Sequence, residues 1–218
     1  MGPVNLQGLY AITPDTADTD WLLRQVEAVL RGGAHLLQYR NKSRLPGLRL
    51  AQGRRLLALC RRYGAVFIVN DDVELAQVLG ADGVHLGGND ASIAGARAVL
   101  GPRVVGASCY DSLDRALNAQ REGADYVAFG SFFPSLTKPH AVRPTTELLH
   151  AARTQLDLPI VAIGGITLGN AATLIDAGAD AVAVISALFE APEPDAAARA
   201  FTQLFEAQPI HPRFASHA

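Results

Sequence analysis

One phrase recurs four times along this chain and limits what it can fold into: Gly-Ala, then Asp or His, then a short apolar run. It appears as GGAHLLQYR, LGADGVHLG, EGADYVAFG and DAGADAVAVIS. Other apolar runs alternate with these, GLYAIT, VFIVN, VVGAS and PIVAIG, so eight short strands are expected, starting near residues 8, 35, 66, 83, 104, 126, 159 and 181. The stretches between them carry the periodicity of helices, as in DWLLRQVEAVLRGG and SLDRALNAQREG, and several close on Gly, which suits a helix C-terminus. Eight strand–helix alternations without a long linker or a break in composition fit a closed (β/α)8 barrel better than a doubly wound open sheet. The expected fold class is therefore α/β, a single TIM barrel over residues 1–218, with about 208–218 (QPIHPRFASHA runs to the end) a loose tail.

Composition narrows the partners. With 218 residues, 49% of them hydrophobic, the chain can bury a large core, and a net charge of −2 offers no electrostatic footprint for nucleic acid or an anionic membrane. Cys60 and Cys109 lie far apart without metal-ligand spacing, and no apolar run approaches the ~20 residues a spanning helix needs. MGPVNLQGLY has neither a basic segment nor an apolar signal core, and Leu6 stands where a myristoylation signal requires Ser or Thr. These features predict a reduced, cytoplasmic protein; they carry no sign of oligomeric state.

In such barrels the chemistry sits in the loops after the strands. Strand two leads into Gln38, Arg40 and Lys42, strand three into Asn70, Asp71 and Asp72, and strand four into Gly88 and Asp90. Strand five delivers Ser108, strand six the loop FGSFFPSLTKPHA with Ser135, Thr137 and Lys138, strand seven Gly164-Gly165, and strand eight Ile185-Ser186. Alternation puts Gln38, Arg40 and Lys42 on the inward side, and Lys138 adds a third cation. Three cations around one cleft repel unless an anion lies between them, so a polyanion such as pyrophosphate is expected, the alternative being a local carboxylate partner for each. Asp71 and Asp90 end neighbouring strands, and two adjacent carboxylates beside a pyrophosphate are a donor set for Mg²⁺. Asp72 reads instead as a helix N-cap, and His85, in mid-strand, as a core or supporting histidine. The small residues after strands seven and eight, ahead of helix starts, suit a phosphate monoester, although the two glycines would also serve a tight turn.

Taken together, QYRNK, VNDDVELA, ADGVHLGGND, GAS at Ser108, GSFFPSLTK, VAIGGIT and AVISAL resemble the thiamine-phosphate synthase family over nearly the whole chain. The resemblance implies a transferase that joins hydroxymethylpyrimidine pyrophosphate to thiazole phosphate, releasing pyrophosphate with Mg²⁺. It implies that Arg40, Lys42, Asn70 and Lys138 hold the pyrophosphate, Asp71 and Asp90 the metal, and Gly165, Ile185 and Ser186 the thiazole phosphate. Gln38, Ser108, Ser135 and Thr137 would orient the substrates, the catalytic weight falling on Lys138, Arg40, Lys42 and Ser108, with the strand-six loop as a lid. The chain departs from the family pattern at Gly88, where a Gln is common, at Gly130-Ser131 in place of Gly-Pro, and at Ser135 in place of Thr. A thiazole tautomerase-like barrel, or a silent barrel that binds thiazole phosphate without turnover, would share the scaffold but has no use for the full set of cations and acids. With no nucleophile in the site as read, the expected chemistry is dissociative: pyrophosphate leaves first, and the aminopyrimidine stabilises the cation left behind.

Overall fold

The computed structural model describes residues 6–88, 90–134 and 143–206. Eight strands, β1 (Gly8–Ile12), β2 (Leu36–Tyr39), β3 (Val66–Asn70), β4 (Gly83–Leu86), β5 (Val104–Tyr110), β6 (Tyr126–Phe129), β7 (Ile160–Ile163) and β8 (Ala181–Val184), form one closed parallel barrel in sequence order. Each begins within one residue of the position expected from the apolar runs. The tail expected from residue 208 lies outside the described residues.

The helices are α1 (Thr19–Arg31), α2 (Pro46–Tyr63), α3 (Val73–Leu79), α4 (Ile93–Leu100), α5 (Leu113–Arg121), α6 (Thr146–Gln155), α7 (Leu168–Asp176), the short α8 (Ser186–Phe189) and α9 (Pro194–Glu206). Their starts are set by side chains that accept orphan N–H groups: Asp18 caps α1, Asp72 α3, Ser92 α4 and Ser112 α5.

Strand alternation divides the core in two. Leu9, Ala11, Leu37, Val182 and Val184 pack outward under the helices, while Tyr10, Ile12, Leu36, Ala181 and Ala183 fill the barrel. The interior accepts two tyrosines, Tyr10 and Tyr126, edge to face with centroids 6.0 Å apart. They fit because β5 supplies Gly106, where any Cβ would collide with the Tyr126 ring.

The recurrent Gly-Ala-Asp phrase has a structural purpose at the opposite, N-terminal end of the barrel. Each aspartate starts an even-numbered strand and accepts an N–H from the preceding strand: Asp82 from Phe67 (2.8 Å), Asp125 from Val105 (2.7 Å) and Asp180 from Ile160 (2.8 Å). An arginine from the helix that leads into that preceding strand closes each one, Arg61 of α2 on Asp82 at 2.9 Å, Arg97 of α4 on Asp125 at 2.6 Å, and Arg153 of α6 on both oxygens of Asp180 at 2.7 and 2.9 Å. The fourth copy has His35 instead.

Candidate active site

The loop after β2 is organised from β1. Thr13, fully buried, accepts the Arg40 N–H (2.9 Å) and donates its hydroxyl to the Arg40 carbonyl (2.8 Å). Asp15 then takes the Arg40 guanidinium on one oxygen and the Lys42 N–H on the other, both at 2.8 Å. From behind, buried Gln52 of α2 accepts from the Tyr39 hydroxyl (2.9 Å) and from Asn41 (2.8 Å). The regular strand ends at Tyr39, so the loop bonds, rather than strand alternation, aim Arg40 and Lys42.

Lys42 Nζ rests 2.8 Å from Asp71 Oδ2. The repulsion expected among partnerless cations is therefore absent for Arg40 and Lys42, because Asp15 and Asp71 neutralise them. Asp71 itself is held in a left-handed backbone, φ 63°, uncommon for a residue with a Cβ, and its N–H donates to the His85 carbonyl at 2.8 Å. Asp72 is the cap expected of it: one oxygen accepts the Leu75 N–H and the other Arg49, both at 2.8 Å.

Asp71 and Asp90 meet across the mouth, as their strand order requires, and share a hydrogen bond. Burial pushes the Asp71 carboxyl up, but the bond from Lys42, the bond to Asp90 and the Lys42 charge outweigh it and hold the group below the usual carboxylate range. Asp90 moves the other way, pushed up by burial and then by the shared hydrogen bond and charge of Asp71. Two carboxylates brought this close repel when both are ionised, and a cation between them relieves that repulsion.

The floor of the site is a hydrogen-bonded chain that crosses the barrel. Gln38 Nε2 donates to Tyr10 Oη, Tyr10 Oη meets Tyr126 Oη, Tyr126 Oη meets His85 Nδ1, and His85 Nε2 meets Ser108 Oγ, each at 2.9 Å. Burial pushes both tyrosine hydroxyls well above their usual range, so they remain neutral members of the chain. If Gln38 donates to Tyr10, successive hydroxyls hand their protons along to His85 Nδ1. The Nε2–H then donates to Ser108, and the Ser108 hydroxyl is left to donate into the mouth. His85 is thus the supporting histidine its mid-strand position predicted.

The ends of β6 and β7 are stitched together: the N–H groups of Phe132 and Phe133 donate to the carbonyls of Ile163 (3.1 Å) and Gly164 (3.0 Å). Gly164 and Gly165 have φ of 104° and 62°, and a Cβ on them would collide with the Ser131 side chain and the Pro134 carbonyl respectively. The glycine pair therefore does make a tight turn, and it also seats the start of the strand-six loop. Ile185 and Ser186 follow β8, Ser186 exposed at the first position of α8. Asn70, at the end of β3, is half-buried beside the acid pair. Ser135, Thr137 and Lys138, with the lid expected there, lie outside the described residues.

Sequence reasoning missed Thr13, Asp15, Tyr10 and Tyr126. The polar run TPD after the first strand was a signal for the first two; nothing in the sequence marks two mid-strand tyrosines as partners 116 residues apart.

Fold and site together define a TIM-barrel enzyme with a cluster of acids and cations at its C-terminal mouth. Residues 9–188 match a family model described as thiamine monophosphate synthase, and the chain belongs to that family. It is 59% identical over 203 residues to the thiamine-phosphate synthase of Thiobacillus denitrificans (93% of this chain, 96% of that one), and 54% identical over 208 residues to that of Aromatoleum aromaticum (95% and 100%). Among solved structures, thiamine phosphate pyrophosphorylase from Pyrococcus furiosus superposes with a TM-score of 0.83 at 35% identity, over 93% of this chain and 96% of that one. The activity is thiamine-phosphate synthesis, that of a transferase of thiamine biosynthesis.

Proposed function

We propose that the reaction joins hydroxymethylpyrimidine pyrophosphate to thiazole phosphate with the aid of Mg²⁺, and that the mouth divides its work between three groups of residues. The observation that carries this reading is the contact of Asp71 with both Asp90 and Lys42. Two touching carboxylates are hard oxygen donors, and among the described residues no third His, Cys, Asp or Glu joins them in a metal-binding cluster. Asp71 and Asp90 would hold Mg²⁺, an ion that commonly binds through one or two carboxylates together with water and phosphate oxygens. When bound, Mg²⁺ supplies charge neutralisation at the pyrophosphate.

Arg40, Lys42 and Asn70, with Lys138 from the strand-six loop, would bind the leaving pyrophosphate; Asp15 keeps the Arg40 guanidinium aimed. Gln38 and Ser108, at the two ends of the buried chain, would orient the pyrimidine, and Ser135 and Thr137 would close over it. Gly165, Ile185 and Ser186 would take the thiazole phosphate on the two final strand ends. Cys109, behind Ser108, is buried with its thiol pushed up to about 12, which removes it as a nucleophile. The residues therefore act by promoting departure: the carbon–oxygen bond to pyrophosphate breaks, the aminopyrimidine cation forms, and the thiazole nitrogen captures it. Cys60 and Cys109, both free and buried, fit a reducing cytoplasm, and no helix of the described residues is long and apolar enough to cross a membrane.

Pyrophosphate release with both substrates tests the reading. Activity is expected to vanish on chelation and return with Mg²⁺, and Arg40→Ala is expected to lower turnover by about 10²-fold with thiazole phosphate affinity unchanged. Full activity in excess chelator, or equal loss of affinity for both substrates, would overturn it.

A further inference from the structure

The end of β5 departs from regular pairing. Its register with β6 slips between Ser108 and Tyr110, and Tyr110 takes a left-handed backbone, φ 55°, at a bulge of the kind that redirects side chains beside active sites. The redirected tyrosine reaches the turn after β4, where the Gly88 N–H donates to Tyr110 Oη at 3.1 Å. In the same turn the Gly87 N–H donates to Asp90 Oδ2 at 2.7 Å. Arg115, in the first turn of α5, lies over the Tyr110 ring 5.3 Å from its centroid. A Cβ on Gly88 would stand 3.1 Å from Arg115 Nη1 and 3.3 Å from the Tyr110 ring, so a side chain at 88 and the stacked pair compete for one space.

We propose that Tyr110 is a positioning residue for Asp90: its hydroxyl, acting through the Gly88 N–H, sets the turn that presents the Asp90 carboxylate to Asp71 and to a divalent cation. Arg115 holds the ring in place, and glycine at 88 is what admits the pair. The inference rests on the assignment of Asp71 and Asp90 as metal ligands.

The test is Mn²⁺ binding in the presence of inorganic pyrophosphate, followed by electron paramagnetic resonance on wild type, Asp90→Asn, Tyr110→Phe and Gly88→Ala. Asp90→Asn should weaken Mn²⁺ binding most. Tyr110→Phe, which removes one hydroxyl, should weaken it about fivefold, the scale of one neutral hydrogen bond, and raise the Mg²⁺ needed for half-maximal activity by the same factor. Gly88→Ala should shift both in the same direction, while thiazole phosphate affinity and the thermal midpoint stay at wild-type values. If Asp90→Asn loses Mn²⁺ but Tyr110→Phe binds it normally, the positioning role is wrong and the metal assignment stands. If Asp90→Asn also binds normally, both are wrong. A Tyr110→Phe protein whose thermal midpoint and affinities for both ligands fall together would make Tyr110 a packing residue and overturn the proposal.

Discussion

The two ends of the barrel use the same ingredients, aspartates and basic side chains, to opposite effect. At the N-terminal end Asp82, Asp125 and Asp180 each take a backbone N–H from the neighbouring strand and an arginine from the helix that leads into that strand, so their lone pairs are spent on the chain itself. At the C-terminal end Asp71 and Asp90 lean on one another, and the cation on Asp71 is a lysine whose side chain is 57% exposed. A satisfied carboxylate stabilises; a crowded one retains affinity for a ligand. The comparison teaches that the position of an acid along the strand, before it or after it, decides whether it serves fold or chemistry.

The largest effect is expected at the N-terminal end. Asp180→Ala removes the carboxylate that bonds Arg153 and the Ile160 N–H; breaking such a buried pair should cost about 3–5 kcal/mol in urea unfolding, with the KM values of the folded fraction unchanged. A loss of substrate affinity without a loss of stability would erase the distinction between the ends. Asp71→Asn should show the reverse. Turnover should fall by about 10²-fold with a weakened Mg²⁺ dependence. Unfolding stability should move by no more than about 1 kcal/mol, since the Lys42 partner is exposed to solvent.

The smallest effect sharpens the comparison within the N-terminal end, at the one repeat without an aspartate. Burial lowers the His35 pKa from its ordinary 6.5, the backbone of Gln7 and Gly33 opposing, and its buried Nε2 has no hydrogen-bond partner. In the window below 6.5 the unfolded chain then binds more protons than the folded one, so the contribution of neutral His35 is fully present above that value and lost as pH falls through it. Urea midpoints measured at pH 8 and pH 5 should differ less in His35→Asn than in wild type. An unchanged acid-side slope would show that His35 does not titrate on unfolding.

Particular residues mark what could be read in advance. Strand starts were legible because the apolar runs and the Gly-Ala-Asp phrases are local in sequence. The Asp71–Asp90 contact was legible too, since neighbouring strands of a barrel end side by side. The pairing of Arg40 with Asp15 was not, because it depends on a loop crossing from β1, 25 residues upstream. Nor was the space at Gly88, filled by a tyrosine and an arginine that only a bulge in β5 brings there.

The sequence by itself determined the barrel, the order of its strands and which residue types stand at their ends, because periodicity and repeats act over a few residues and chain order sets neighbours in a parallel barrel. Tertiary structure alone decided how those groups are paired. The Gln38–Tyr10–Tyr126–His85–Ser108 chain joins four strands besides its start on β2 through hydroxyls that meet only inside the closed barrel, where Gly106 leaves room for the second ring. Hydrogen bonds of that kind depend on ångström-scale distances between residues remote in sequence, and no local pattern encodes them.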